Sequence, residues 1–164
     1  MATREPKELD DNQVARRQTR VSRLARSFGF SGQVEYRHAY SQSGGAQFCF
    51  GRGSASDVLL VYAEAFERDL DPHDFSLVAI IAHECGHQRF LRDSNLAVIG
   101  RKLSGQVFEE VIASLIGSLL VSDSQDAEDL VGKATVDLAT VALSAASVVR
   151  TIEQLRGFLK ELVR

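Results

Sequence analysis

A chain of 164 residues with 45% hydrophobic composition can bury a sizeable core without staples and fits one domain. A formal charge of −3 argues against a dominant nucleic-acid footprint, and two cysteines are too few for a disulfide framework. Polar and charged residues follow Met1, and the longest apolar stretch, Val111 to Val121, falls short of the roughly 20 residues of a membrane span. A reduced, soluble, cytoplasmic protein with no membrane or nucleic-acid partner is expected.

The first predicted element is a helix within residues 1–30. Arg16, Arg17, Arg20, Arg23 and Arg26 decorate it, and Val14, Val21, Leu24 and Phe28 form its apolar side. Acids at Glu5, Glu8, Asp10 and Asp11 offset the arginines, which read as a solvated face. Three short strands follow, Gly32 to Tyr40, Ala46 to Gly51 and Asp57 to Tyr62, bounded by turns at Ser43 to Gly45 and Gly51 to Ser54. Val58-Leu59-Leu60-Val61 is a continuous apolar run, as in a strand covered on both faces.

Next comes His83-Glu84-Cys85-Gly86-His87, a His-Glu-x-x-His run. On a helix, side chains four apart share a face, so His83 and His87 can grip one metal ion together. Glu84 lies about 100° round from His83, beside that face, within reach of a water on the metal rather than the metal itself. Asp71-Pro72 followed by Asp74 predicts an N-cap, a first-turn proline and an acidic start. Phe75, Val78, Ala79, Ile80, Ile81 and Ala82 cover nearly the whole circumference that follows, the mark of a buried helix. By composition the pattern arises by chance in roughly one chain in a few hundred of this length. Two imidazoles suit zinc, and a catalytic zinc site needs a third protein ligand and a water. Manganese, cobalt or iron fit similar ligands.

After a connecting stretch from Arg92 to Gly105, the segment Gln106 to Ile116 predicts a second buried helix with Glu109 and Glu110 near its start. A carboxylate at that depth is costly unless paired or metal-bound; the plainer alternative is two first-turn acids favoured by the helix dipole. The sequence here resembles the gluzincin metallopeptidases, whose second helix supplies a glutamate ligand in a Glu-x-x-x-Asp setting. Glu110, Ala113 and Ser114 fit that frame, with Ser114 in place of the usual Asp that orients a ligand histidine. The likeness covers roughly residues 33 to 121 and is closest in style to the minimal gluzincins and the ImmA/IrrE-type peptidases. The soluble core of the HtpX/Ste24 type is similar too.

The resemblance implies an α+β fold: a small three-stranded antiparallel sheet packed on a buried active-site helix, with additional helices and a long C-terminal helix. Residues 1–164 then form one metallopeptidase domain, with an N-terminal helix (1–30), a zincin core (31–121) and a C-terminal helical seam (122–164). It further implies one Zn2+ per chain on His83, His87 and Glu110, with Glu84 as general base and then acid in peptide-bond hydrolysis. An extended substrate would add to an exposed strand edge, here Ala46-Gln47-Phe48-Cys49, and Ser114 would orient a ligand histidine. Tyr36, His38, Tyr40, Tyr62 and His73 are options for stabilising an oxyanion. The partner would be a peptide or protein substrate, and in the ImmA/IrrE manner a specific target such as a transcriptional repressor.

From Val131 through Ala134, Leu138, Val141, Ala145, Val148, Ile152, Leu155 and Leu159 to Leu162, apolar residues keep a 3-4 spacing, the seam of a coiled coil or bundle. One continuous helix over 131–162 would extend about 48 Å, against a radius of gyration of about 15 Å for a domain of this size. Either the helix breaks near Thr140 to Ser147 and folds back, or it pairs with a second copy; a homodimer is the preferred expectation. Two functions remain open: a zinc-dependent endopeptidase, or a non-catalytic or latent metal-binding helical module acting through its C-terminal helix.

Overall fold

The computed structural model describes residues 5–41, 44–67, 75–93, 96, 106–141 and 144–163. The chain divides into two compact units, Met1–Ile81 and Ala82–Arg164. That boundary falls inside the 31–121 stretch expected to be one core.

In the first unit, helix α1 (Asp11–Ser27) opens on a capping box. The Asp10 carboxylate accepts from the Gln13 backbone at 2.8 Å, and the Gln13 side chain accepts from the Asp10 N–H at 3.0 Å. Two of the donors that a helix start leaves open are thereby satisfied. Val21 and Ala25 are its buried positions. Strands β1 (Gln33–Arg37), β2 (Ala46–Cys49) and β3 (Val58–Tyr62) follow, then a short 3₁₀ turn at Ala63–Phe66.

The fold is α+β as expected, but the sheet is mixed rather than antiparallel. Its order is β1-β3-β2, with β2 antiparallel to β3 and β1 parallel to it. The apolar run explains the order. Leu59, Leu60 and Val61 are all buried, so β3 takes the central place and the two more polar strands flank it. Chain reversals before and after β2 leave β1 running the same way as β3. On the outer side of β1 the Gln18 side chain of α1 donates to Val34 O at 2.9 Å and accepts from Tyr36 N at 2.7 Å, so one amide closes part of that edge.

Helix α2 (Leu77–Arg92) carries the chain from the first unit into the second. It starts two residues after Phe75, where the Ser76 hydroxyl accepts from Ala79 N at 3.0 Å. The cap expected at Asp71-Pro72 lies outside the described residues. The second unit continues with α3 (Gln106–Leu120), α4 (Ser124–Ala139) and α5 (Ala145–Leu162). Its core holds Val111, Ile112, Leu115 and Ile116 of α3, Ala134 and Leu138 of α4, and Val148, Ile152 and Leu159 of α5.

The C-terminal helix is present as α5, but the seam is divided between two helices instead of running through one. Helix α4 ends at Ala139 with Thr140 as its C-cap, and Ser144 caps α5 by accepting from Ser147 N at 3.2 Å. The apolar positions of both helices then face one core, with Val131, Leu155 and Leu162 packed at its margin. A 3-4 pattern needs only an apolar neighbour, and folding back supplies one from the same chain. Among the described residues, no helix is long and apolar enough to cross a membrane.

Candidate metal centre

Every described residue of the centre belongs to the second unit. Helix α2 supplies His83, Glu84 and His87, α3 supplies Glu109, Glu110 and Ser114, and α4 supplies Lys133 and Asp137. Two glycines let α2 and α3 approach closely enough for this. A Cβ on Gly86 would lie 2.2 Å from the Ala113 carbonyl oxygen, and one on Gly117 would lie 3.0 Å from that of Ala82. Bulkier residues would force the helices apart and draw the carboxylates away from the imidazoles.

One turn apart on α2, the Nε2 atoms of His83 and His87 face each other at 3.2 Å. Glu110 closes the triangle, with Oε2 at 3.1 Å from His83 Nε2 and Oε1 at 3.3 Å from His87 Nε2. One ligand atom from each of the three lies within 4.8 Å of the others. A tetrahedral zinc with bonds near 2.0–2.1 Å has ligand–ligand edges of about 3.3–3.4 Å. The contacts at 3.1–3.3 Å run through two different oxygens of Glu110, and with one ligand atom taken from each residue the spread stays within 4.8 Å, so this group could hold a metal ion.

The outward-facing ring nitrogens also have partners. His83 Nδ1 lies 3.0 Å from Ser114 Oγ, and His87 Nδ1 lies 3.0 Å from Glu109 Oε1. With each Nε2 lone pair kept for a metal, each Nδ1–H donates to these oxygens, fixing tautomer and ring orientation. Ser114 is fully buried and stands behind one histidine. A carboxylate holds the other, from Glu109. Sequence reasoning set Glu109 aside because it competed with Glu110 for one role. The available signal was that adjacent acids on a helix reach different partners across a crossing.

The electrostatics follow from these contacts. Hydrogen bonds from His83 and then His87 hold the Glu110 carboxyl far below the usual carboxylate range, against the opposing effect of burial. Burial pulls the His87 imidazole down, but the Glu110 hydrogen bond, the charges of Glu84 and Glu110 and the Glu109 hydrogen bond outweigh it, lifting His87 to about 9. Glu84, half-buried on α2, is therefore close enough for its charge to act on His87. Cys85 is pushed up to about 12 by burial, then by the Glu84 charge, with Arg89 opposing. It is an inert filler of the core.

Lys133 is the second residue that sequence reasoning missed. Its Nζ donates to Glu110 Oε2 at 3.1 Å and to Asp137 Oδ2 at 2.6 Å. On α4 it flanks the apolar seam, and its i, i+4 spacing from Asp137 reads as an ordinary surface pair; the lysine side chain is in fact only 13% exposed.

Most of the remaining sequence candidates belong to the first unit. Ala46, Gln47, Phe48 and Cys49 form β2, an edge strand of the first unit. Tyr36 OH accepts from Arg17 at 2.7 Å and lies 3.0 Å from His38 Nδ1, and Tyr40 OH donates to Glu67 at 2.7 Å. These groups, with Tyr62, belong to the first unit, and His73 lies outside the described residues. Both cysteines are free thiols. The arrangement defines a candidate His–His–Glu metal centre on a helix crossing. No protein-family model, curated protein or solved structure matches the chain.

Proposed function

We propose that the protein is a zinc-dependent endopeptidase, a metallohydrolase of the gluzincin type. The observation that supports this best is the convergence of His83 Nε2, His87 Nε2 and the Glu110 carboxylate, with an oxygen behind each imidazole. Two imidazoles and a carboxylate are a ligand set that suits zinc. Bound there, zinc would supply Lewis acidity to a peptide carbonyl and to the attacking water. Glu84 would act as the base toward that water and then as the acid toward the leaving amine. Ser114 and Glu109 keep the rings turned inward. The side chains of Glu109 and Glu110 are 34% and 35% exposed, so water reaches the carboxylate side of the centre. An extended peptide would pair with the edge strand β2 (Ala46–Cys49), and a specific protein target such as a transcriptional repressor is one substrate of this shape.

The test combines zinc content with cleavage of an unfolded protein. The wild type should carry about one zinc per chain, Glu84→Gln should keep the metal and lose cleavage, and Glu110→Ala should lose the metal. Zinc without cleavage in the wild type would favour a latent or regulatory metal-binding module. The contact of Lys133 with Glu110 is the observation on that side. We also propose that a homodimer forms through the C-terminal hairpin, where Val136, Val149 and Phe158 are exposed by 67%, 53% and 49%. Light scattering that returns the mass of one chain would overturn it.

A further inference from the structure

We propose that Lys133, braced by Asp137, is a built-in countercation for Glu110: it holds the carboxylate in place while the site is empty and lowers the affinity for a divalent ion. This role rests on the His83–His87–Glu110 reading and concerns how readily that site loads.

Glu110 Oε2 receives two donors, His83 Nε2 at 3.1 Å and Lys133 Nζ at 3.1 Å. A cation seated between His83 and Glu110 therefore lies beside an ammonium, and the two positive charges repel in a poorly screened setting. The ammonium cannot swing away cheaply. Asp137 holds it at 2.6 Å from the next turn of the same helix, and its side chain is only 13% exposed. Partners such as Ser114 and Glu109 act oppositely, because they orient a ligand ring and add no positive charge.

A lysine with a merely structural role would, on removal, lower both stability and metal affinity. A countercation gives opposite signs. Without it, Glu110 loses one of its cationic partners in the metal-free protein, while a metal ion loses a repulsive neighbour.

The experiment measures Zn2+ dissociation constants by competition with a chromogenic chelator, together with thermal melting of the metal-free protein. It compares the wild type with Lys133→Met, Lys133→Gln and Lys133→Arg. Both neutral variants should melt lower when metal-free and bind zinc about 10- to 100-fold more tightly. Lys133→Arg should stay within about threefold of the wild type. If the methionine variant does not fold, the isosterically milder glutamine variant carries the comparison. Equal or weaker zinc binding by the neutral variants would overturn the role of Lys133 while leaving the metal centre intact. No zinc binding by either the wild type or the neutral variants would overturn the centre itself, and this role with it.

Discussion

Helices α1 and α2 each carry a cluster of one basic residue type, and the two clusters are used in opposite ways. The arginines of α1 go to ordinary structural partners, an aromatic ring, a hydroxyl and backbone carbonyls. Arg17 donates to Tyr36 OH at 2.7 Å and lies 4.4 Å from the centre of the Phe66 ring. Arg26 donates to the carbonyls of Phe30 and Gly32 at 2.7 and 2.6 Å, and Arg20 lies 6.0 Å from the Phe66 ring. The histidines of α2 turn inward, 3.2 Å apart, and share one carboxylate. A repeated residue type on a helix face is therefore weak evidence of a site. Electron pairs aimed at a common point, each backed from behind, are much stronger evidence.

The helix crossing gives the harshest way to break this comparison. Gly86→Ala adds a methyl that meets the Ala113 carbonyl oxygen at 2.2 Å, and a rigid backbone atom cannot yield as a side-chain tip would. The gain in helix propensity is about 1 kcal/mol. Overpacking of a core typically costs 1–3 kcal/mol or more, and a backbone collision belongs at the upper end. The variant should lose about 3 kcal/mol in urea unfolding and bind zinc far more weakly, because α2 and α3 move apart. Arg23→Ala on the exposed face of α1 should change stability by less than about 0.5 kcal/mol and leave zinc binding untouched. A Gly86→Ala protein as stable as the wild type would mean that the crossing does not depend on that close approach.

Local pattern made much of this molecule legible. Four-residue spacing put His83 and His87 on one face, and the strand segments contain the observed Gln33–Arg37, Ala46–Cys49 and Val58–Tyr62. Of the two adjacent acids, Glu110 is the one grouped with both imidazoles, and Ser114 Oγ lies 3.0 Å from His83 Nδ1. What escaped depends on partners distant in sequence. The parallel pairing of β1 with β3 follows from which strand takes the centre, and strand periodicity alone does not fix neighbours. The roles of Glu109 and Lys133 depend on what α2 and α3 present to them across helix contacts. The seam over 131–162 gave the correct apolar face but could not say whether one helix or two would fill it, because Thr140 to Ser144 contains no proline or glycine to mark the break.

A gentler way to sharpen the comparison uses pH, since arginines hold their charge throughout the accessible range and His87 does not. In the metal-free protein His87 is lifted from 6.5 to about 9, so the protonated ring favours the folded state. Its contribution is complete below pH 6.5 and is lost as pH rises through about 9. At about 1.4 kcal/mol per decade, this amounts to roughly 2–3 kcal/mol after allowance for partial solvent access. Glu110 is shifted the other way, so its contribution is present above pH 4.5 and fades only as acid drives the pH far below that. Stability of the metal-free protein, measured by urea unfolding, should therefore be greatest between about pH 4.5 and 6.5 and decline toward pH 9. With saturating zinc the alkaline decline should disappear, because the metal needs the neutral ring and binds more tightly as the competing proton leaves. Curves with and without zinc that stay parallel from pH 6 to 9 would place His87 outside the metal's coordination. Parallel curves would also leave the α2 histidines no different in kind from the arginines of α1.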